Sequence, residues 1–332
     1  MINVGIIGLG KMGQIRKAAV ESTGRGQILA ASDPVIKLND KNIKDYPNPE
    51  QVISDSSIDT IFICTPNYMN KDLTIKGLEA GKNIFCEKPP AFSAKDIEEI
   101  IEVEKKSGKK LMYGFNHRHH DSVILAKQKI DSGQYGKILW MRGRYGKSVD
   151  ENFFKNWRSK KELAGGGILI DQGIHMLDLF LMMAGDFEEV HAFVSNLYWK
   201  LDVEDNVFAI LKNKNGVAAS LHSTMTQWRH LFSLEVFLEK GYFVINGLLT
   251  SSGTYGQETM TIATNRSVAP AAIWSDEEHL KFEINNSWNY EIGHFFDAID
   301  RNTAVKIGHS DDALKVMRLV DKIYLQNNKG VN

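Results

Sequence analysis

Apolar residues along this chain change their period near its middle. Up to residue 115 they fall in short, mostly apolar runs, at 2–7, 27–31, 58–64, 83–86 and 111–115, with helically spaced stretches between them. Runs of that length read as strands buried on both faces, and helices alternating with them predict a parallel, doubly wound sheet. The last of these helices has clear end signals. Ser93 stands as N-cap with Asp96 three residues on, Phe92 is placed to staple against Ile97, and Gly108 is the stop. From residue 138 the pattern changes: residues 138–146 alternate, and later runs have strand character. Segments 138–146, 190–195, 203–212, 217–223, 233–238 and 242–245 read as strands, with hairpin-type turns at 213–216 and 239–241. In the first of them Arg142 and Arg144 share one face and Tyr145 takes the other. Amphipathic helices follow at 291–300 and 311–324. The expected fold is an α/β domain over residues 1–120, then an α+β domain over 121–332 with a large, mostly antiparallel sheet.

One segment belongs to neither regime. Gly165, Gly166 and Gly167 lead into a run that reads as a helix through Met182, with Ile170, Ile174, Leu177 and Leu181 as its apolar stripe. Asp171, His175 and Asp178 fall at i, i+4 and i+7, on one face of such a helix. Carboxylates one turn either side of an imidazole can fix its tautomer and raise its basicity. The same spacing also suits solvated helix charges around a satisfied histidine.

Composition narrows the setting. The 332 residues carry 40 Lys and Arg against 41 Asp and Glu, a formal charge of −1, so no global field draws the chain to nucleic acid or to a membrane surface. With no run of eighteen apolar residues and a strand at the very start, neither a spanning helix nor a signal peptide is expected, and the protein reads as cytoplasmic. Cys64 and Cys86 read as buried thiols.

Candidate chemistry gathers at the carboxyl ends of the first-half strands, where doubly wound sheets bind ligands. Gly8-Leu9-Gly10-Lys11-Met12-Gly13 follows the first strand and opens a helix, the context in which G-x-G-x-x-G cradles a pyrophosphate. Asp33, twenty residues beyond Gly13, ends the second strand. A carboxylate there accepts from ribose hydroxyls and disfavours a 2′-phosphate, so NAD is expected, with NADP not excluded because Lys37 is near. Thr65-Pro66-Asn67, Glu87-Lys88-Pro89-Pro90 and Asn116-His117-Arg118-His119-His120 end the next strands. Lys88 is a cation whose aim the prolines restrict. Histidines 117, 119 and 120 have no cysteine or acidic ligand close in sequence, and no metal site is expected.

Taken together, the GLGKMG turn, the TPN at Thr65 to Asn67, the EKP at Glu87 to Pro89 and GGGILIDQGIHMLD resemble the glucose–fructose oxidoreductase/inositol dehydrogenase (Gfo/Idh/MocA) family. The match runs in order through most of the chain. The resemblance implies a Rossmann domain followed by a substrate and oligomerisation domain, with Lys88, Asp171 and His175 at the catalytic positions and a cis bond before Pro89. It also implies cofactor contacts from Gly8, Gly10, Lys11, Met12, Gly13, Asp33, Thr65, Pro66, Asn67, Glu87 and Lys88. Substrate contacts are expected from Asn116, Arg118, Arg144, Tyr145, Trp157, Arg158, Asp171 and His175. One position departs: where the family usually has a histidine after its TPN, this chain has Asn70.

The leading expectation is an NAD-dependent dehydrogenase of a secondary alcohol on a sugar, cyclitol or sugar nucleotide, self-associated as a dimer or tetramer through the second-domain sheet. His175 would take the proton, Asp171 would orient it, and Lys88 would stabilise the alkoxide; the sequence leaves open which of Lys88 and His175 is the final acceptor. Two other readings are a glycoside hydrolase that oxidises, eliminates and re-reduces on held NAD, and a non-catalytic NAD-binding sugar sensor. Arg142, Arg144 and Arg158 suit a phosphate or carboxylate on the substrate.

Overall fold

The computed structural model describes residues 1–264, 269–270 and 272–327. The chain divides into two compact units, Met1–Asn116 with Ser287–Met317, and His117–Asn286 with Arg318–Asn332.

In the first unit six strands form one sheet: β1 (Ile2–Ile7), β2 (Gly26–Ser32), β3 (Lys44–Tyr46), β4 (Thr60–Ile63), β5 (Asn83–Cys86) and β6 (Leu111–Tyr113). Their order is β3-β2-β1-β4-β5-β6 and every pairing is parallel. The chain reverses its winding between β1 and β4, which places a ligand crevice at the carboxyl ends of those strands. Helices α1 (Lys11–Ser22), α2 (Pro49–Ser54), α3 (Asn70–Glu79) and α4 (Ala94–Ser107) connect them. The end signals of α4 act as expected: Ser93 Oγ accepts from the Asp96 amide at 3.2 Å, and Gly108 closes the helix at φ 65°. The edge strand β3 and the helix α2 were not expected, since both are short and largely polar.

The second unit is built on an eight-stranded sheet: β7 (Ile138–Ser148), β8 (Glu189–Ser195), β9 (Asn206–Lys212), β10 (Ala218–Thr224), β11 (Thr226–Leu238), β12 (Gly241–Asn246), β13 (Glu258–Thr264) and β14 (Glu278–Phe282). The order is β14-β13-β12-β11-β7-β10-β9-β8; β7 and β10 run parallel and the other neighbours antiparallel. Helices α5 (Asp121–Asp131), α6 (Lys161–Ala164) and α7 (Ile174–Ala184) also belong to the unit. Bare backbone at Gly143 lets α7 settle on β7, because a Cβ there would stand 2.4 Å from Met176 Cγ and 2.8 Å from Phe180 Cζ. Residues 161–184 are together apolar and long enough to cross a bilayer, but most of that stretch is buried within the protein.

The opposite side of the sheet is open. Phe193 is 80 % exposed, Ile210 58 % and Phe208 51 %, while Arg142 pairs across the strands with Glu235 at 2.7 Å.

Two expectations need correction. The segment after the triple glycine is not one α-helix: Leu169–Gly173 is a π-helical turn, and regular α geometry begins only at Ile174. Ser223 Oγ donates to the carbonyl of Ile168 at 3.4 Å, outside the helical ladder, and such outside partners accompany π turns. The wider turn changes the angle between Asp171 and His175 that ideal i, i+4 spacing implied. The second correction concerns the boundary drawn at residue 120. Helix α8 (Ser287–Asp300) belongs to the first unit, where Ile292, Phe295 and Phe296 join the core around Val4, Ile6, Phe62 and Phe85. Phe295 meets Phe85 edge-on at 5.7 Å and Phe62 at 6.2 Å. Helix α9 (Ser310–Asn327) follows.

Candidate functional site

In the first unit the glycine turn is built as its motif demands. Gly8 sits at φ 92°, and a Cβ there would lie 2.5 Å from the Cys64 carbonyl oxygen; at Gly13 it would lie 2.0 Å from the carbonyl of Gly8. Around Gly10 nothing comes within 4 Å of that position, and no side chain caps the start of α1. An uncapped helix N-terminus beside open backbone is a ready anion site, so the residues present fit a dinucleotide pyrophosphate at Gly10, Lys11, Met12 and Gly13.

Asp33 borders this turn. Its Oδ2 accepts from the Leu9 amide at 2.7 Å, and its Oδ1 from the amides of Val35 and Ile36 at 2.9 and 2.8 Å. Partial burial pushes its pKa up, but the backbone donors and Lys37 outweigh that and hold it below the usual carboxylate value. A carboxylate keeps further lone pairs for ribose hydroxyls. Lys37 Nζ lies 3.2 Å from Asp45, so its charge is shared with a second carboxylate.

The Lys88 turn is held from two sides. The Lys88–Pro89 bond is cis, as the resemblance implied. Asn70, fully buried, donates through Nδ2 to the carbonyls of Pro89 at 2.8 Å and Glu87 at 3.3 Å, while its Oδ1 accepts from Thr65 Oγ1 at 3.1 Å. The amide thus ties the Thr65 strand end to the turn that carries Lys88. On the other side Glu87 binds the buried guanidinium of Arg16 at 2.5 Å, and Arg16 also binds Glu291 of α8. Burial alone would lower the Arg16 pKa; Glu291 and Glu87 raise it, so the cation is fixed. Asn67 and Asn116 are buried near their strand ends.

In the second unit His175 is buried at the start of α7, and its ring stacks on that of His117 with centres 3.8 Å apart and planes 18° apart. Asp171 lies between two cations, with Lys147 Nζ 3.2 Å from Oδ2 and Arg158 Nε 3.5 Å from Oδ1. Each cation also covers an aromatic face, Phe153 for Lys147 at 5.4 Å and Trp157 for Arg158 at 4.3 Å. Trp157, Arg158 and Asp171 are therefore one cluster, which also includes Lys147, a residue that no motif in the sequence marks out.

Glu204 secures the start of this segment. Its carboxylate accepts from the amides of Gly167 at 2.8 Å and Leu169 at 3.0 Å, and from Tyr324 Oη at 2.9 Å. Burial pushes its pKa up against these donors. A Cβ at Gly167 would lie 2.0 Å from the Glu204 carbonyl oxygen, which accounts for a glycine at that position.

Three expected placements differ. Asp178 is not grouped with His175 as a flanking carboxylate; it forms a buried two-pronged pair with Arg118, at 2.7 Å to Nε and 2.6 Å to Nη2. Arg118, expected at the substrate, is engaged in that pair and buried. Arg144 is exposed on the open side of the sheet with Arg142, opposite the buried Tyr145. Tyr145 instead stands 2.8 Å from His117 Nε2. The neighbouring His120 is tied to Glu258 at 2.7 Å, and among the described residues no group of three metal-ligating side chains occurs.

Comparison with known proteins bears on this arrangement. Residues 2–115 match the profile described as an oxidoreductase family with an NAD-binding Rossmann fold, and residues 123–244 match the Gfo/Idh/MocA C-terminal domain. A levoglucosan dehydrogenase of Pseudarthrobacter phenanthrenivorans is 27 % identical over 288 residues, 74 % of this chain and 73 % of that protein. A myo-inositol 2-dehydrogenase of Thermotoga maritima is 26 % identical over 254 residues, covering 72 % of this chain and 74 % of its own. The fold is shared with a solved levoglucosan dehydrogenase in complex with NADH and levoglucosan, at TM-score 0.87 and 23 % identity over 99 % of this chain and 97 % of that one.

Proposed function

The chain belongs to the Gfo/Idh/MocA family of NAD-dependent oxidoreductases, and from that premise we propose that it oxidises a secondary alcohol of a sugar, cyclitol or sugar nucleotide. The observation that carries the cofactor half is the open, uncapped start of α1 at Gly10 beside an ionised Asp33.

When bound, the nicotinamide supplies the hydride acceptor. The residues of this chain supply the rest. His175 takes the hydroxyl proton. Asp171, held between Lys147 and Arg158, orients the base and a substrate hydroxyl. Lys88 sets a positive charge against the developing alkoxide, a contribution that depends on its aim and so on the clamp from Asn70 and Glu87. Arg158, half exposed beside Trp157, is the cation we assign to substrate recognition.

The open side of the eight-stranded sheet, with Phe193, Phe208 and Ile210 exposed, supports a further reading: a second copy of the chain covers it, giving a dimer or tetramer. Sedimentation at micromolar concentration tests this, and a monomer across that range removes it.

A panel of levoglucosan, inositols, free sugars, glycosides and nucleotide sugars, followed by NADH absorbance, tests the activity. Stoichiometric NADH with a ketone product is expected. Release of free sugar without NADH would assign the redox-neutral hydrolytic reaction instead.

A further inference from the structure

The stacked pair His117 and His175 is one link in a closed ring of contacts. His117, in the short turn Asn116–His119, presents Nε2 to Tyr145 Oη on β7 at 2.8 Å. Tyr145 in turn hydrogen-bonds Tyr255, with their rings edge to face at 5.4 Å. Tyr255 Oη donates to Gln172 Oε1 at 2.7 Å. Gln172 is three residues before His175, so the ring starts and ends on one helical segment. Phe232 closes its side, 5.9 Å from His117 and 5.3 Å from Tyr145.

The direction of the protons follows from the far end. Gln172 offers a carbonyl oxygen, so the Tyr255 proton points to it and the Tyr255 oxygen accepts from Tyr145. The Tyr145 proton is then committed, and the lone pair it turns to His117 can only accept. Burial holds both phenols protonated, far above their ordinary values. His117 must therefore carry its hydrogen on Nε2, in a ring plane fixed by Tyr145.

We infer that His117 is a positioning residue for His175: its ring, locked by the Gln172–Tyr255–Tyr145 chain, sets the plane of the base and lends a π face to the imidazolium that proton transfer creates. Stacking at 3.8 Å leaves the His175 ring little freedom to rotate, so its nitrogens keep one aim between turnovers. A neutral aromatic face also attracts a cation, so the stack favours the protonated base. This rests on His175 being the proton acceptor.

Three His117 variants, two companion variants and one spectrum test it. In His117→Ala, kcat should fall about ten- to hundredfold with the substrate KM within roughly twofold, because misaiming a reacting group acts on the transition state. His117→Phe keeps a flat ring and should restore most of the loss, whereas His117→Leu, similar in bulk without a π face, should not. In ¹⁵N-imidazole spectra the signal absent from His117→Phe should show the Nε2–H tautomer, and Tyr145→Phe should disturb it. His175→Ala is run beside them. If it is inactive while folded His117→Ala and His117→Leu turn over normally, or raise KM alone, the positioning role is overturned and the base assignment stands. If His175→Ala itself turns over normally, both fall. Should His117→Ala not fold, the contrast of Phe against Leu decides.

Discussion

Asn70 donates to the carbonyl of Pro89 at 2.8 Å, and through that contact one buried amide holds the turn that aims Lys88. The position drew notice in the sequence because the family usually places a histidine there, and the structure gives it a job an amide does well. It has two N–H bonds to give to two carbonyls, and an oxygen left for Thr65. Asn70→Ala leaves those buried carbonyls without a donor, a loss of about 1–3 kcal/mol in stability. Turnover should fall about ten- to hundredfold as Lys88 loses its aim, while the NAD dissociation constant stays near normal. Urea unfolding, steady-state kinetics and a fluorescence titration measure the three separately.

The proposed roles of Lys88 and His175 predict losses of different kinds. Lys88→Ala removes one charge aimed at the alkoxide and should cost about a hundred- to a thousandfold in kcat. His175→Ala removes the proton acceptor, about 10²–10⁴-fold, with a residual rate that climbs at high pH as hydroxide takes over. Both should still bind NAD. Near-normal turnover in either, measured on a substrate the unaltered enzyme uses well, would show the site to be misassigned.

Asp33→Ala should weaken NAD about ten- to hundredfold, the usual worth of a charged hydrogen-bonding partner, and should weaken NADP less. The same carboxylate organises the Leu9, Val35 and Ile36 amides, so some of the loss will appear as lower thermal stability. If the unaltered protein binds NADP more tightly than NAD, the preference argued from Asp33 is wrong.

Acid sensitivity has an identifiable contributor in Glu258. Burial pushes its pKa up, but His120, Ser122 and the Leu249 amide outweigh this and lower it in the folded protein. A depressed carboxylate pKa stabilises the fold at pH above its unfolded value, about 4.3, and the contribution drains away as pH falls through the folded value. Between pH 6 and pH 3, Glu258→Gln should therefore lose less stability than the unaltered chain, starting from a lower plateau. Equal slopes in denaturant midpoint against pH would refute this.

Gly167→Ala should disable the second unit's helix start. Its methyl would be driven to 2.0 Å from the Glu204 carbonyl oxygen, and backbone must move to admit it. We expect loss of both turnover and thermal stability, with the NAD site unchanged. A folded, fully active Gly167→Ala protein would mean that the turn tolerates what its geometry forbids.

What could be read from the sequence was local. The glycine turn, the Ser93 cap and Gly108 stop, and the alternation of β7 through β10 each depend on neighbours within a few residues. The strands β13 and β14 escaped because each carries only a short apolar alternation, Met260 and Ile262 in one and Leu280 and Phe282 in the other. Long-range choices were not legible. The amphipathic face of α8 announces burial but not its partner, and only the fold reveals Phe62 and Phe85 beneath Phe295. Asp178 was placed with His175 by spacing, yet its partner, Arg118, is sixty residues away. Likewise His117 looked like part of a histidine cluster, because nothing in its neighbourhood points to the ring it stacks on.

That α8 completes the first unit's core sets the order in which the chain can mature during synthesis. When residue 116 leaves the ribosome, the parallel sheet has its six strands but lacks the phenylalanines that cover Phe62 and Phe85. The missing helix starts 171 residues later, by subtraction of 116 from 287, an interval of roughly ten to thirty seconds at ordinary translation rates. Through that interval α1 alone lies on this face of the nascent sheet, and the part that α8 will bury stays uncovered. A chaperone that captures this chain co-translationally should engage between those two lengths and release once residue 300 has emerged.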